Sequence, residues 1–365
     1  MRTARAVVLE RFGEPLTLRE FAVPSPGPGE AVVAGRYGGI CGTDLHLQQG
    51  RLPIPTPLVL GHEGLGVVEA VGPDAPVDAR GRPLAVGDEI MWASSIACGA
   101  CVPCRIHREP TLCERRRTYG VNRPTGEGSG LNGAWAEAIH LRAGTTVVPL
   151  PPQVDRLAAM SLACAGPTMV HALYERRPVR VGETVVVQGS GPVGLAAAAI
   201  AQLAGAERVV IVGGPAGRLD LAAAAGIGDA HVNIVDSGDP AAALDRVRDL
   251  TGGGADLVIE CTGAPAAVEQ GLRLARRGGA YLIVGQYTDA GDTPVNPHQI
   301  VWRQLDVVGS WAFTGAHLVA YVDLLPALTA RFDLAALTTT FPLGEVASAF
   351  DALAEGRVMK AVLSS

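Results

Sequence analysis

The run Thr184-Val185-Val186-Val187-Gln188-Gly189-Ser190-Gly191-Pro192-Val193-Gly194 decides how the second half of the chain folds. A β-branched apolar strand passes directly into G-x-G-x-x-G, and an alanine-rich helical stretch follows from Pro192. Each glycine has its own task. Gly189 permits the tight turn, Gly191 lets backbone approach a pyrophosphate, and Gly194 lets the helix pack on the strand. A helix opened by Pro192 and Val193 offers free N–H groups and a partial positive charge to phosphates. The same glycine pattern occurs in purely structural turns. The strand before it and the helix after it make it a dinucleotide-binding fingerprint here.

Downstream, strands expected at 208–212, 231–234, 256–260, 280–284 and 306–308 alternate with helices at 216–225, 241–250, 266–274 and 316–327. This rhythm predicts a doubly wound parallel sheet with helices on both faces. Where NAD is gripped by its ribose hydroxyls, the second strand ends in an acid about 20 residues past the fingerprint. Here Val209-Val210-Ile211-Val212 ends in Gly213-Gly214-Pro215, and Asp220 comes too late. The nearest cation, Arg218, is equally a helix-surface residue, so NAD versus NADP stays open. Val284, closing the 280–284 strand, joins Gly213 and Arg218 among the cofactor-binding candidates.

Upstream the character is different. Residues 1–150 read as short strands broken by turns such as Gly13-Glu14-Pro15 and the 24–29 proline-glycine cluster, which predicts a small β-rich barrel or sandwich. The 122–133 segment is glycine-rich and reads as a mobile loop, and 157–174 has helical spacing through Cys164.

Four of the seven cysteines, Cys98, Cys101, Cys104 and Cys113, fall within sixteen residues. Four thiolates complete a closed tetrahedron around a structural zinc. Arg105 and Arg108 stand near enough in sequence to offset the resulting negative charge. A second constellation is Cys41-Gly42-Thr43-Asp44-Leu45-His46 followed by Gly61-His62-Glu63-Gly64. A catalytic zinc takes about three protein ligands and leaves one position open. Cys41, His62 and the distant Cys164 are the candidates, with Glu63 able to exchange on or off and Asp44 placed to back His62. Thr43 can pass a substrate proton inward and His46 can relay it to solvent. His107 lies inside the cysteine lobe as a possible competitor, the other histidines lack ligand spacing, and Cys261 reads as a core thiol.

Composition narrows the class. A net charge of −6 with no basic tract beyond Arg115–Arg117 argues against nucleic acid. No apolar run is long enough to span a membrane, and the first residues show no secretory pattern, so a cytoplasmic protein is expected. Lys360 is the only lysine, which weakens Schiff-base or phosphate-loop chemistry.

These motifs together, over essentially the whole length, resemble the zinc-dependent medium-chain alcohol dehydrogenases. They are Cys41-x-Thr43-x-x-His46, Gly61-His62-Glu63-x-x-Gly66, Gly87-Asp88, the four-cysteine lobe, Cys164 with Thr168, and Gly189 to Gly194. The resemblance implies an α/β protein: a GroES-like β-rich catalytic domain at 1–165 and 313–365, with its zinc lobe near 95–115, and a Rossmann domain at 166–312. It implies a catalytic zinc on Cys41, His62 and Cys164, a relay through Thr43 and His46, and Thr168 and Val193 behind the nicotinamide. It also implies two zinc ions per chain, NAD or NADP, a small alcohol or carbonyl substrate, and a homodimer or homotetramer joined through the 306–309 edge. The expected reaction interconverts an alcohol, secondary or cyclic, and its ketone or aldehyde. Alternatives are a nicotinamide-dependent reductase of an activated double bond and a non-catalytic zinc and dinucleotide sensor. The intact ligand set opposes the first and the complete relay opposes the second. Two departures stand out: eight residues separate Cys104 from Cys113 where the family usually has seven, and Gly213 replaces the usual acid.

Overall fold

The computed structural model describes residues 2–365, which divide into two units. The first comprises residues 2–164, Phe313–Asp323 and Thr338–Ser365, and the second comprises Ala165–Ala312 and Leu324–Leu337.

The first unit is the GroES-like β domain. Its largest sheet runs in the order Val147–Pro149, Glu89–Trp92, Gly64–Val71, Ala31–Ile40, Lys360–Ser364 and Thr338–Pro342, with Ala138–Leu141 also paired to Ala31–Ile40. A three-stranded sheet places Thr3–Leu9 between Thr17–Ala22 and Leu58–Val59. Three apolar clusters fill the unit: Val7, Leu9, Ile40, Leu47, Leu60 and Trp135 pack in one, Val33, Val68, Ile90, Trp92 and Tyr119 in another, and Val8, Val32, Val59 and Leu131 in the third. One register matters for the site. Ala361 pairs with Ile40 and Val362 with Gly39, so the C-terminal strand lies alongside the segment that leads into Cys41.

The second unit is a Rossmann domain. Its six strands are all parallel, in the order Ala230–Asn233, Arg208–Gly213, Thr184–Gln188, Ala255–Glu260, Ala275–Ile283 and Asp306–Gly309. Val185, Val186, Val187, Val209, Val210 and Ile211 are all fully buried. Helices on both faces leave such strands no solvent side, hence the unbroken apolar runs. The fingerprint strand is central, and the Arg208–Gly213 strand beside it brings Gly213 next to the glycine turn.

Two expectations are corrected. The 157–174 stretch is not one helix: Arg156–Ser161 ends, Leu162 to Cys164 form a turn, and a new helix begins at Ala165. Residues 324–337, expected in the catalytic domain, pack with the Rossmann unit, to which Ala165 also belongs. The guanidinium of Arg331 donates to the Gln202 carbonyl at 2.8 Å, and the Asp333 N–H to the Ala225 carbonyl at 3.1 Å. These bonds hold that segment to the ends of two Rossmann helices. Among the described residues, no helix is long and apolar enough to cross a membrane.

Candidate metal centre and cofactor pocket

Cys41 is the N-cap of a short helix, Gly42–Gln48, that its own sequence builds. The Cys41 thiol accepts from the Thr43 N–H at 3.3 Å, and the Asp44 carboxylate accepts from the Cys41 N–H at 2.9 Å, closing a capping box. Asp44 is fully buried, and its carboxylate also lies 3.2 Å from His62 Nδ1. That contact leaves Nε2 turned the other way, 3.2 Å from Cys41 Sγ. A carboxylate behind the far nitrogen of an imidazole is the usual support of a metal-binding histidine.

His62 is presented by glycine. Gly61 has φ +96°, and a Cβ there would meet Trp135 Cδ1 at 2.3 Å. Trp135, fully buried, donates from its indole to the Gly39 carbonyl at 2.9 Å. Gly39 in turn has no room for a side chain, because Glu63 Oε2 would stand 2.3 Å from its Cβ. Bare backbone on both approaches therefore lets His62 and Glu63 reach Cys41.

One ligand atom each from Cys41, His62, Glu63 and Cys164 lies within 4.8 Å of the others. Ligands of a tetrahedral zinc at bond lengths of about 2.0–2.3 Å stand roughly 3.3–3.8 Å apart, so the donor set fits that ion. Its protonation agrees. A hydrogen bond shared with Cys164 holds the Cys41 thiol well below its usual range, against the effect of burial, while the same bond and burial raise Cys164. A bound dication favours the thiolate form of a coordinating cysteine. Cys164 meets the others from the turn that interrupts the 157–174 stretch.

Lys360 was not among the residues expected here. Fully buried, its ammonium donates to both oxygens of Glu63, at 2.7 and 2.5 Å. Burial pushes the Glu63 carboxyl up to about 7, so the lysine only partly offsets its desolvation. Burial also acts to lower the Lys360 ammonium, but Glu63 and Cys41 outweigh it and the net shift is upward.

Thr43 and His46 occupy one helical turn at i, i+3 spacing, and both are half-buried. Burial, with Arg51 adding to it, lowers the His46 imidazole. Trp92 belongs to the β-domain core, 4% exposed, with its ring filling the space beside Gly64. The 122–133 loop is pinned rather than loose: the Asn132 amide donates to the Pro124 and Glu127 carbonyls, and Gly120, just before it, is packed against Gly61.

The four-cysteine lobe closes on itself. Cys101 Sγ lies 3.4 Å from Cys104 Sγ and 3.9 Å from Cys113 Sγ, and the Cys98 N–H donates to Cys113 Sγ at 3.2 Å. These spacings suit a zinc held by four thiolates. Between Cys104 and Cys113, Arg108 adopts φ +58° and Pro110–Leu112 forms a tight turn. The Ala100 and Cys101 N–H groups draw the Cys98 thiol down to about 6, whereas burial and its neighbours push Cys104 up to about 12. The cation that faces the cluster is Arg115, paired with Cys98. Arg105, Arg108 and His107 are exposed.

In the Rossmann unit a pocket is lined by Gln188, Gly189, Ser190 and Gly191 on one side and by Gly213, Gly214 and Arg218 on another. Gly189 has φ +113°, and a Cβ on Gly194 would meet the Gly189 carbonyl oxygen at 1.9 Å. Nothing stands within 4 Å of where a Gly191 Cβ would be, so the backbone there is open to a ligand. The helix Pro192–Leu203 starts with no side-chain cap, leaving its first N–H groups for phosphate oxygens. Pro192, Val193 and Gly194 form its first turn, Val284 follows the strand Ala275–Ile283, and Thr168 lies on Ala165–Val170. None of these five lines this pocket. Cys261 does line it, with its thiol raised by burial and therefore unreactive.

Comparisons with known proteins agree across both units. The family described as "Zinc-binding dehydrogenase" matches residues 192–327, and "Alcohol dehydrogenase GroES-like domain" matches 27–152. The chain is 31% identical to 5-exo-hydroxycamphor dehydrogenase of Pseudomonas putida, over 100% of this chain and 99% of that protein. It superposes on the crystal structure of an alcohol dehydrogenase from Thermotoga maritima with a TM-score of 0.93 at 33% identity, covering 100% of both chains. A zinc-binding dehydrogenase of Sinorhizobium meliloti solved with NADP has a TM-score of 0.86 at 28% identity, again over 100% of both.

Proposed function

The chain belongs to the zinc-dependent medium-chain alcohol dehydrogenase family, and from that premise we propose that it oxidises a secondary, cyclic alcohol to its ketone, and reduces the ketone, at the Cys41, His62 and Cys164 centre. That it is an oxidoreductase of alcohols follows from its relatives at full length. The observation carrying the assignment to this centre is the donor set itself: two sulfurs and an imidazole nitrogen converge, with a carboxylate behind the histidine.

When bound, zinc supplies Lewis acidity to the substrate oxygen, and the nicotinamide ring accepts or returns the hydride. The protein's own groups do the rest. Cys41, His62 and Cys164 hold and orient. Asp44 fixes the His62 tautomer so that Nε2 remains a donor of electrons. The Thr43 hydroxyl accepts the alcohol proton as it passes its own to His46, one turn on, which carries it toward solvent. The lowered imidazole of His46 is neutral at pH 7 and ready to accept that proton. Glu63, neutralised by Lys360, waits beside the ligands without adding a full negative charge. Cys98, Cys101, Cys104 and Cys113 hold a second, structural zinc, which makes two per chain.

The choice of a bicyclic or monocyclic secondary alcohol rests on the relative named for hydroxycamphor. The test is nicotinamide absorbance during incubation with borneol, cyclohexanol, 2-butanol and ethanol, in native protein and Cys41→Ser. Turnover of the cyclic alcohols by the native chain only is expected, with dinucleotide binding kept by the variant. Full activity in Cys41→Ser would remove that residue from the reaction.

A further inference from the structure

The amino ends of the parallel strands hold a second recess that the proposed reaction does not need. It encloses about 1010 Å³ and lies wholly within the Rossmann unit. Thr184 opens the central strand and lines this groove, whereas Gln188 closes the same strand and lines the dinucleotide pocket. Four residue steps of strand separate the two by about 13 Å. Ligands of open parallel sheets gather at the carboxyl ends, so the groove is not an arm of the dinucleotide site.

Its charge is out of keeping with the rest of the chain. The protein carries −6 overall, yet five arginines and only two carboxylates line the groove. Both carboxylates are committed. Glu269 pairs with Arg273 one helical turn on, and Asp256 accepts from Arg276 at 2.6 Å and from the Thr184 N–H at 2.8 Å. Among the described residues no carboxylate pairs with Arg248, Arg277 or Arg303. Cations beside a helix C-terminus are ordinary caps, and that accounts for part of the set. Arg248 donates to the Arg273 carbonyl at 3.2 Å, and Arg303 donates to the Leu272 carbonyl at 2.7 Å and to the Ala275 carbonyl, all at the end of the helix Pro265–Leu274. Capping does not account for Arg277. It lies past that helix, in the strand Ala275–Ile283, and its guanidinium rests over the Trp302 ring, 4.4 Å from the centroid. Its side chain makes no hydrogen bond among the described residues. Burial lowers the Arg303 guanidinium, and Arg248 and Arg277 add to the effect, so the three cations stand close enough to repel one another.

We propose that this groove binds a small polyanion carrying two or more phosphate groups, apart from the dinucleotide. Guanidinium forks match phosphate oxygens with paired, charge-assisted donors. Arg248 has donors to spare, since a guanidinium carries five and the Arg273 carbonyl takes one. Stacking on Trp302 orients the Arg277 plane without using its N–H groups. Gly252 and Gly253 supply bare backbone on another side, where no atom would stand within 4 Å of a Cβ. One phosphate dianion would leave part of the positive charge unmatched, hence the second group.

The experiment is equilibrium dialysis of the zinc-loaded native enzyme against inorganic tripolyphosphate, read by phosphorus analysis, with and without saturating NADH or NADPH. One site per chain with a Kd of about 1–100 μM is expected, unchanged by dinucleotide and weakened as salt is raised. Arg277→Gln should weaken binding about 5- to 20-fold, and the double variant Arg248→Gln, Arg277→Gln about 50-fold or more, with melting temperature and alcohol turnover as in the native chain. A parallel dialysis against ATP, with dinucleotide saturating, distinguishes the source. Equal affinity supports recognition of the phosphate chain alone, and tighter binding of ATP supports a nucleotide as the occupant of the same site. No retention of either compound at about 1 mM, loss of retention when dinucleotide is added, or equal retention by the double variant would each overturn the proposal.

Discussion

Replacing Lys360 by methionine isolates the buried ion pair beside the Cys41, His62 and Cys164 donor set. Methionine keeps most of the apolar stem, so little packing is lost and the change falls on the charge. Both side chains are shut off from water, at 2% exposure for Lys360 and 0% for Glu63. Breaking a buried pair by removing one partner costs about 3–5 kcal/mol, because the other charge stays behind unpaired. For a unit of 150–250 residues each kcal/mol lowers the melting temperature by roughly 2–4 °C. Lys360→Met should therefore melt about 6–20 °C below the native chain when both are stripped of metal with a chelator. The double variant Glu63→Leu, Lys360→Met has no buried charge at this position, and it should recover most of the loss. With zinc loaded, the deficit of Lys360→Met should shrink, since the freed Glu63 carboxylate stands within reach of the ligand atoms. The measurement is calorimetry of all three proteins with and without zinc. If Lys360→Met melted within about 2 °C of native in the metal-free state, or if the double variant melted as low as the single one, the ion-pair argument would fail.

Three further outcomes follow from the same geometry. Cys113→Ser should lower the zinc content from about two to about one per chain and destabilise the β domain, read by elemental analysis and calorimetry; unchanged zinc would take Cys113 out of the cluster. Thr43→Val should reduce turnover by about 10²- to 10⁴-fold while leaving dinucleotide and zinc binding intact, because it removes a proton acceptor but no ligand; near-native turnover would mean the proton leaves by another route. Gly213→Asp should weaken both NADH and NADPH, because its Cβ has to displace the Ser190 backbone before any carboxylate reaches a ribose; a clean gain in NADH binding would show that the turn yields more readily than its packing implies.

What was legible in the sequence had local physical causes. Three consecutive valines followed by G-x-G-x-x-G carry the central parallel strand, the turn and the helix start within eleven residues, and the alternation downstream carries the sheet. The cysteine lobe is equally local. The reading of 157–174 as one helix fails because helical spacing does not register a turn, and Leu162 to Cys164 interrupt the helix just where the Cys164 thiol meets Cys41 and His62.

Lys360 is the instructive omission. It is 297 residues from Glu63, and the pairing exists only because Ala361 falls opposite Ile40 in a register that local pattern does not encode. One signal was available. In a chain with thirty basic residues and a single lysine, the choice of ammonium over guanidinium at one position asks for a reason. The geometry supplies it: both Glu63 oxygens converge on one Nζ, a compact point charge with three rotatable donors, in a space closed on every side. A planar guanidinium is larger and projects five donors, of which a single carboxylate satisfies two. The rest would be buried unpaired beside the Cys41 and Cys164 sulfurs, each at a cost of about 1–3 kcal/mol. Lys360→Arg, though conservative in charge, should therefore destabilise the metal-free β domain and displace Glu63. Native-like melting of that variant would show that the space around Nζ is larger than the packing indicates.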